Sequence, residues 1–283
     1  MNDYLFTNRM ERILQIANQM SKEGIITSVD LFIAACREAT GICSELYLYL
    51  YHQLGKDFDV KILNQWSRNA GADFNFIGHY KISMDAVLIF EESNKKRKNY
   101  GQMLINEGHM IQSILQSDAQ LRFMLTEGVV DGIVNIACVP RDLFVNLDHF
   151  KKLYGNRISK HCMRRAAHSD LIELKSFVIH EFGERWLQHI NAMTEKEVLP
   201  IYIAIYGEEI IGFACYDTVR NKKGLFGPMG TSHKKRGNAV GRDLLFKCLN
   251  EMAELGYEYA VIGEAGPIEF YEKACDAKLL QTC

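Results

Sequence analysis

Apolar residues at Met10, Ile13, Leu14 and Ala17 recur at helical spacing, and Thr7 before them has a side-chain oxygen suited to cap a helix. After a break at Gly24, a second apolar face runs through Leu31, Phe32, Ala34 and Ala35, with Ser28 as the expected cap. The unit is a helix, a short break and a capped helix. It recurs about 76–79 residues on, where Ile82-Ser83-Met84 mirrors Phe6-Thr7 and Ile105 to Ile111 mirrors Ile26 to Phe32. The run Lys95-Lys96-Arg97-Lys98 is expected to be a solvated loop between helices.

The pattern changes past the middle of the chain. Leu171, Leu174, Phe177, Val178 and Phe182 form one helical face within 170–182, preceded by a short strand over Ile158 to Met163. Leu199 to Tyr206 and Ile210 to Tyr216 read as strands joined by the turn Gly207-Glu208-Glu209, so a hairpin is expected. A strand ending near Thr231 leads through a basic, glycine-containing loop into a helix with Leu244, Leu245, Cys248, Leu249 and Met252 on one face. Tyr259 to Gly263 reads as a further strand, and Pro267 to Ala274 as a helix with proline in its first turn.

Composition agrees with this division. All four prolines lie at or beyond Pro140, which suits a helical first half. The length of 283 residues is comfortable for two domains. A net charge of −2 gives no bulk attraction to nucleic acid, and no apolar run approaches the roughly 18–20 residues that span a bilayer. The opening residues lack a basic stretch followed by an apolar one, so a cytoplasmic protein is expected. The eight cysteines are scattered without metal spacing and read as small buried hydrophobes; no metal site is expected.

The richest stretch for chemistry is Gly227 to Leu245. Small residues let a backbone approach a ligand closely, and free amides at a helix start favour an anion such as a pyrophosphate. Arg236-Gly237-Asn238-Ala239-Val240-Gly241 resembles the central motif of the GNAT acetyltransferases, Arg/Gln-x-x-Gly/Ala-x-Gly/Ala, with Ala239 in place of the usual middle glycine. Tyr271-Glu272-Lys273, after the next strand, is similar to a second signature of that family.

The resemblance covers about residues 157–283 and implies a mixed-sheet α/β fold that moves an acetyl group from acetyl-CoA directly to a primary amine. It implies that Arg236, Gly237, Asn238, Ala239, Val240, Gly241 and Arg242 hold the pyrophosphate, while Met229, Gly230 and Thr231 pair with the pantetheine arm. Tyr271 would be the proton donor to the departing thiolate or would simply pack beneath the cofactor. Glu264, where many relatives carry asparagine, would be a base or a helix cap. Phe182, Trp186 and His189 would line the acceptor pocket or simply pack in the core.

The family usually ends in two strands after this helix, and the last one is missing here. A shorter sheet, a strand from elsewhere in the chain or from a second subunit, or an impaired domain would each account for it. An open edge would invite pairing into a homodimer. The alternative reading is therefore a catalytically impaired CoA-binding or protein-interaction adaptor.

The first half resembles the N-terminal repeat domain of Clp chaperone ATPases, in which each repeat opens on Phe/Ile-Thr/Ser and caps its next helix with Gly-Thr-Glu-His-Leu-Leu. The corresponding motifs here are Thr27-Ser28-Val29-Asp30-Leu31-Phe32 and Asn106-Glu107-Gly108-His109-Met110-Ile111. Val29 and Gly108 replace the glutamates that help some members bind phosphoarginine, so that activity is not carried over. No ATPase phosphate loop is present in the sequence. The resulting organisation is an all-α repeat domain over 1–135 that binds a protein partner or regulates, a linker over 136–156, and the acetyltransferase domain over 157–283.

Overall fold

The computed structural model describes residues 4–66, 73–155, 157, 159–219 and 223–281. Ile158, the expected start of a strand, and Cys283 lie outside them. The chain divides into two compact units between Pro140 and Arg141.

The first unit is helical: α1 (Asn8–Met20), α2 (Ser28–Arg37), α3 (Ile42–Leu54), α4 (Phe58–Gln65), α5 (Met84–Asn99), α6 (Glu107–Ser117), α7 (Ala119–Met124) and α8 (Glu127–Ala137). A small sheet in the order β1-β3-β2 is added to them, from β1 (Ile25–Ile26), β2 (Phe74–Ile77) and β3 (Tyr80–Ser83). The internal repeat is visible in the pairing. Phe6, before α1, bridges Ile105, before α6. Ile26, before α2, pairs with Ile82, before α5. Exchanging the two repeats turns one contact into the other, so each repeat closes the other.

The caps of α2 and α6 follow the same symmetry, whereas Ser83, the counterpart of Thr7, donates its hydroxyl to the Ile26 carbonyl instead of capping α5. Thr7 caps α1 by accepting from the Met10 amide. Thr27 and Asp30 form a reciprocal capping box on α2, and Asn106 and His109 form one on α6. Thr27, rather than the expected Ser28, is the cap, because Asp30 stands three residues after it and returns the bond; the Ser28 hydroxyl donates instead to Asp118 at 2.6 Å. Across the repeats, buried Arg9 meets Glu107 at 2.7 Å and Glu38 at 3.6 Å, tying α1 to α6. Lys95 to Lys98 form the last turns of α5 rather than a loop, with Arg97 donating to the carbonyls of Gln102 and Met103 just beyond the helix.

The second unit is built on a seven-stranded mixed sheet in the order β10-β4-β9-β8-β7-β6-β5. Its strands are β4 (Arg141–Asn146), β5 (Cys162–Arg165), β6 (Ile201–Tyr206), β7 (Glu209–Tyr216), β8 (Leu225–Thr231), β9 (Tyr259–Ala265) and β10 (Lys278–Leu279). Its main helices are α9 (Leu147–Tyr154), α10 (Leu171–Phe182), α11 (Leu187–Asn191), α12 (Val240–Glu254) and α13 (Ile268–Cys275). Alternation along β7 assigns the two faces. Phe213 packs with Phe177 and Phe182 of α10, whereas a Cβ on neighbouring Gly212 would point at Leu244 of α12.

Residues 136–156, expected as a linker, contain β4 and α9 of this unit. β4 lies between β9 and β10, antiparallel to both. The strand that the sequence leaves unaccounted for at its end is thus supplied by a segment that precedes the domain, and the open edge argued for a homodimer is filled. Buried Leu143 and Val145 alternate with less buried neighbours, which is the reason this segment joins a sheet.

Of the described cysteines, Cys36, Cys43, Cys215, Cys248 and Cys275 are buried as expected, Cys138 is half-buried and Cys162 is exposed; all are free thiols.

Candidate active site

Strands β8 and β9 run parallel but pair only at Leu225 with Val261 and at Phe226 with Ile262. Beyond Phe226 they separate. On its other side β8 stays paired with β7 through Met229, Gly230 and Thr231. The three residues expected to hold the pantetheine arm therefore present one strand edge without a β9 partner, and unpaired backbone groups are costly unless water or a ligand satisfies them.

That edge leads directly to the loop. Gly237 has φ of +86° and Ala239 of +63°, and Ala239 stands at the N-cap of α12 with no side-chain bond to its first amides. Left-handed backbone just ahead of a 15-residue helix leaves those amides free for an anion. A Cβ on Gly241 would lie 3.6 Å from Thr231 Cγ2 and 3.9 Å from Met229 Cε, so helix start and strand edge are adjacent. Arg236 donates through Nε to the Thr231 carbonyl at 3.4 Å. Burial pulls its guanidinium below the ordinary value, with the Glu181 carboxylate opposing. The Val240 side chain is buried in the core, which leaves only its backbone for a ligand. Asn238, Ala239 and Arg242 line a cavity of about 550 Å³ beside the loop.

Tyr271 of α13 sits where the strands part. Its ring is 8% exposed and lies 6.4 Å from that of Phe226, the last residue of β8 paired with β9. Burial, with Cys275 adding to it, pushes the phenol well above its ordinary value, so it stays neutral and able to donate. Glu264 lies near the end of β9, exposed, at φ of +50°. Its amide donates to Asp142 Oδ1 at 2.7 Å, at the point where β4 bulges against β9. Asp142 is 122 residues away in sequence, and no local pattern announces it.

Phe182 and Trp186 are brought together at 4.9 Å and pack with Phe213. The space left by Gly230 is filled by Phe182, since a Cβ there would stand 2.4 Å from Phe182 Cζ. His189, half-buried on α11, is outside the ring contacts of this group. Sequence reasoning passed over Glu181, which accepts from the Ser232 hydroxyl at 2.9 Å and the His233 amide at 2.8 Å, and lies 2.6 Å from His233 Nδ1. Burial raises this carboxyl, but the bonds from His233 and Ser232 outweigh it and the net shift is downward. The pair pins the end of β8 to α10 just ahead of the loop. Its one sequence signal is a histidine two residues past the strand.

Residues 164–276, less than half the chain, match the family model described as the acetyltransferase (GNAT) family. Among solved structures, the chain is similar to a GCN5-related N-acetyltransferase from Sphaerobacter thermophilus, at 16% identity over 54% of each chain with a TM-score of 0.40. It is also similar to the glucosamine N-acetyltransferase region of a fungal multi-domain GH3 β-N-acetylglucosaminidase, at 13% identity over 50% of this chain and 20% of that one, TM-score 0.40. A third similarity is to the N-terminal domain of the chaperone ClpD from Arabidopsis thaliana, at 9% identity over 48% of this chain and 86% of that one, TM-score 0.29. The chain spans about half the length of the first of these structures and a fifth of the second. A comparison with curated proteins finds no match.

Proposed function

We propose that the α/β unit is an acetyl-CoA-dependent N-acetyltransferase that passes the acetyl group directly to a primary amine. The observation that carries this reading is the parting of β8 and β9 after Phe226, beside the uncapped start of α12. An open strand edge next to free loop amides suits a donor with an amide-bearing arm and a pyrophosphate. The family match over 164–276 supports the same class.

In this reading the amides of 236–241, with Arg236 and Arg242, hold the pyrophosphate, and Met229 and Thr231 pair with the arm. Bound acetyl-CoA supplies the activated thioester carbon. The neutral amine nitrogen bonds to that carbon and the carbon–sulfur bond breaks. Glu264 takes the surplus amine proton, directly or through water, and Tyr271 gives its hydroxyl proton to the sulfur. The products are the acetamide and free CoA thiol, and solvent restores both residues. Phe182 and Trp186 form an aromatic wall for the acceptor. The helical unit binds a protein partner or regulates transfer, a role supported by the exposed Phe76 on edge strand β2 and Leu88 on α5. The place of β4 in the sheet answers one of the two grounds for an impaired adaptor; the other, Glu264 where many relatives carry asparagine, stands.

The test is Tyr271→Phe. Turnover, read as thiol release with a panel of amines, should fall roughly a hundredfold or more, with the acetyl-CoA Kd within about twofold of wild type. Undiminished turnover would remove Tyr271 from the mechanism.

A further inference from the structure

We infer that Asp142 is a positioning residue for acetyl transfer: it holds a bulge in β9 that turns Glu264 out of the buried side of that strand. The inference rests on the reading above, in which Glu264 takes the surplus amine proton. Arg141 pairs with Ala265 and Leu143 with Ile262, so Asp142 alone stands opposite both Gly263 and Glu264, and the extra residue belongs to β9. The alternation along β9 reveals its effect. Ala260 and Ile262 are buried, and a regular strand would put Glu264 on their side. With the extra residue in place, Ala265 takes that buried position, opposite buried Arg141, and Glu264 is exposed.

The bulge needs a support from outside its own strand. Glu264 has φ of +50°, a left-handed conformation that is unfavourable for a residue with a side chain and persists only where its surroundings fix it. Asp142 supplies that constraint, since its Oδ1 accepts from the Glu264 amide at 2.7 Å. A bond of this length to a carboxylate is among the stronger ones a backbone amide can make. Asp142 is braced in turn. Its own carbonyl accepts from the Leu280 amide at 3.0 Å, and the Arg141 guanidinium donates to the Leu280 carbonyl at 2.8 Å, so the residue after β10 ties down this end of β4. Asp142 precedes the family-matched segment over 164–276, and the contact therefore comes from the chain's own β4. In this arrangement Asp142 acts through the backbone of Glu264 and sets where the base stands.

The test measures thiol release from acetyl-CoA by the full chain with tryptamine, spermidine and lysine methyl ester, using the acceptor that wild type turns over fastest. Asp142→Ala should lower kcat roughly tenfold or more, because a small misplacement of a reacting group is costly, and leave the acetyl-CoA Kd within about twofold of wild type. Asp142→Asn, whose amide oxygen still accepts, should keep kcat within about threefold. Should Asp142→Ala not fold, Asp142→Glu, which displaces the acceptor oxygen by a methylene, takes its place with the same expected fall. A double-mutant cycle separates positioning from a merely structural role: Glu264→Gln should slow turnover, and adding the Asp142 change to it should cost less than about twofold more. Unchanged kcat in the folded Asp142 variant, or losses that multiply independently in the cycle, would overturn the positioning role and leave acetyl transfer standing. Unchanged kcat in Glu264→Gln would overturn it together with the assignment of the base. No thiol release from folded wild type with any of the three amines would overturn the acetyl-transfer reading and the inference with it.

Discussion

In the helical unit the first amides of α1, α2 and α6 are closed by Thr7, Thr27 and Asn106, and the short segments ahead of α1, α2, α5 and α6 pair with one another. In the α/β unit, α12 begins at Ala239, which has no side-chain oxygen to offer, and β8 runs on past Phe226 without its β9 partner. Both units bury large apolar cores, so the difference lies in their backbone polar groups. One unit satisfies the amides at these positions from within, and the other leaves the β9-facing edge at Met229 and Thr231 and the loop entering α12 for something else to satisfy, although Ser232, His233 and Lys235 between them are bonded within the unit. Small residues carry opposite meanings in the two places. A Cβ on Gly108 would stand 2.4 Å from the Ala137 carbonyl oxygen, so that glycine lets α8 close on α6 and leaves no room for a carboxylate. Gly237, at φ of +86°, instead shapes a turn whose amides remain free.

The largest expected effect breaks the open side of this contrast. Gly237→Glu puts a carboxylate and an unfavourable positive φ against the pyrophosphate, and like charges in contact cost several kcal/mol, so the CoA Kd should rise on the order of a thousandfold. Calorimetric titration of the folded variant checks it, and an unaltered Kd would mean the loop is misassigned.

A smaller effect sharpens the closed side. The two capping boxes differ in their third residue, Asp30 on α2 and His109 on α6. His109 Nδ1 accepts from the Asn106 amide, which requires the neutral ring. Burial, with Arg97 and Lys96 adding to it, pulls His109 down to about 4. An unfolded histidine titrates near 6.5, so its contribution is fully present above that pH and is lost as pH falls toward 4, amounting to roughly 3 kcal/mol. Thermal unfolding of the helical unit followed across this window should show the loss, and His109→Gln should flatten it. An unchanged slope in that variant would place the acid sensitivity elsewhere.

Much of this contrast is legible in the sequence, because its determinants are local. The phosphate-loop motif, the hairpin of β6 and β7, and the repeat offset all follow from residue type and spacing over a few turns. Thr27 and Ser28 both carry a hydroxyl, and only the reciprocal bond from Asp30 decides between them. The β4 strand alternates as a strand should, yet its partners lie more than a hundred residues later, and no short-range pattern encodes such a pairing. Asp142 is hidden for the same reason, since its partner is a backbone amide at Glu264. Strand β1 has only two residues, too few for any periodicity to register. The run from Lys95 to Lys98 misleads because charge marks exposure, and an exposed helix end satisfies that as well as a loop does.

The most direct test of the central claim is amide hydrogen exchange of the whole chain with and without CoA. The account predicts slowed exchange at the amides of Met229, Thr231 and residues 236–241 on adding CoA, with the first turns of α1, α2 and α6 unchanged. Unaltered exchange at Met229, Thr231 and 236–241 in folded protein at saturating CoA would contradict it.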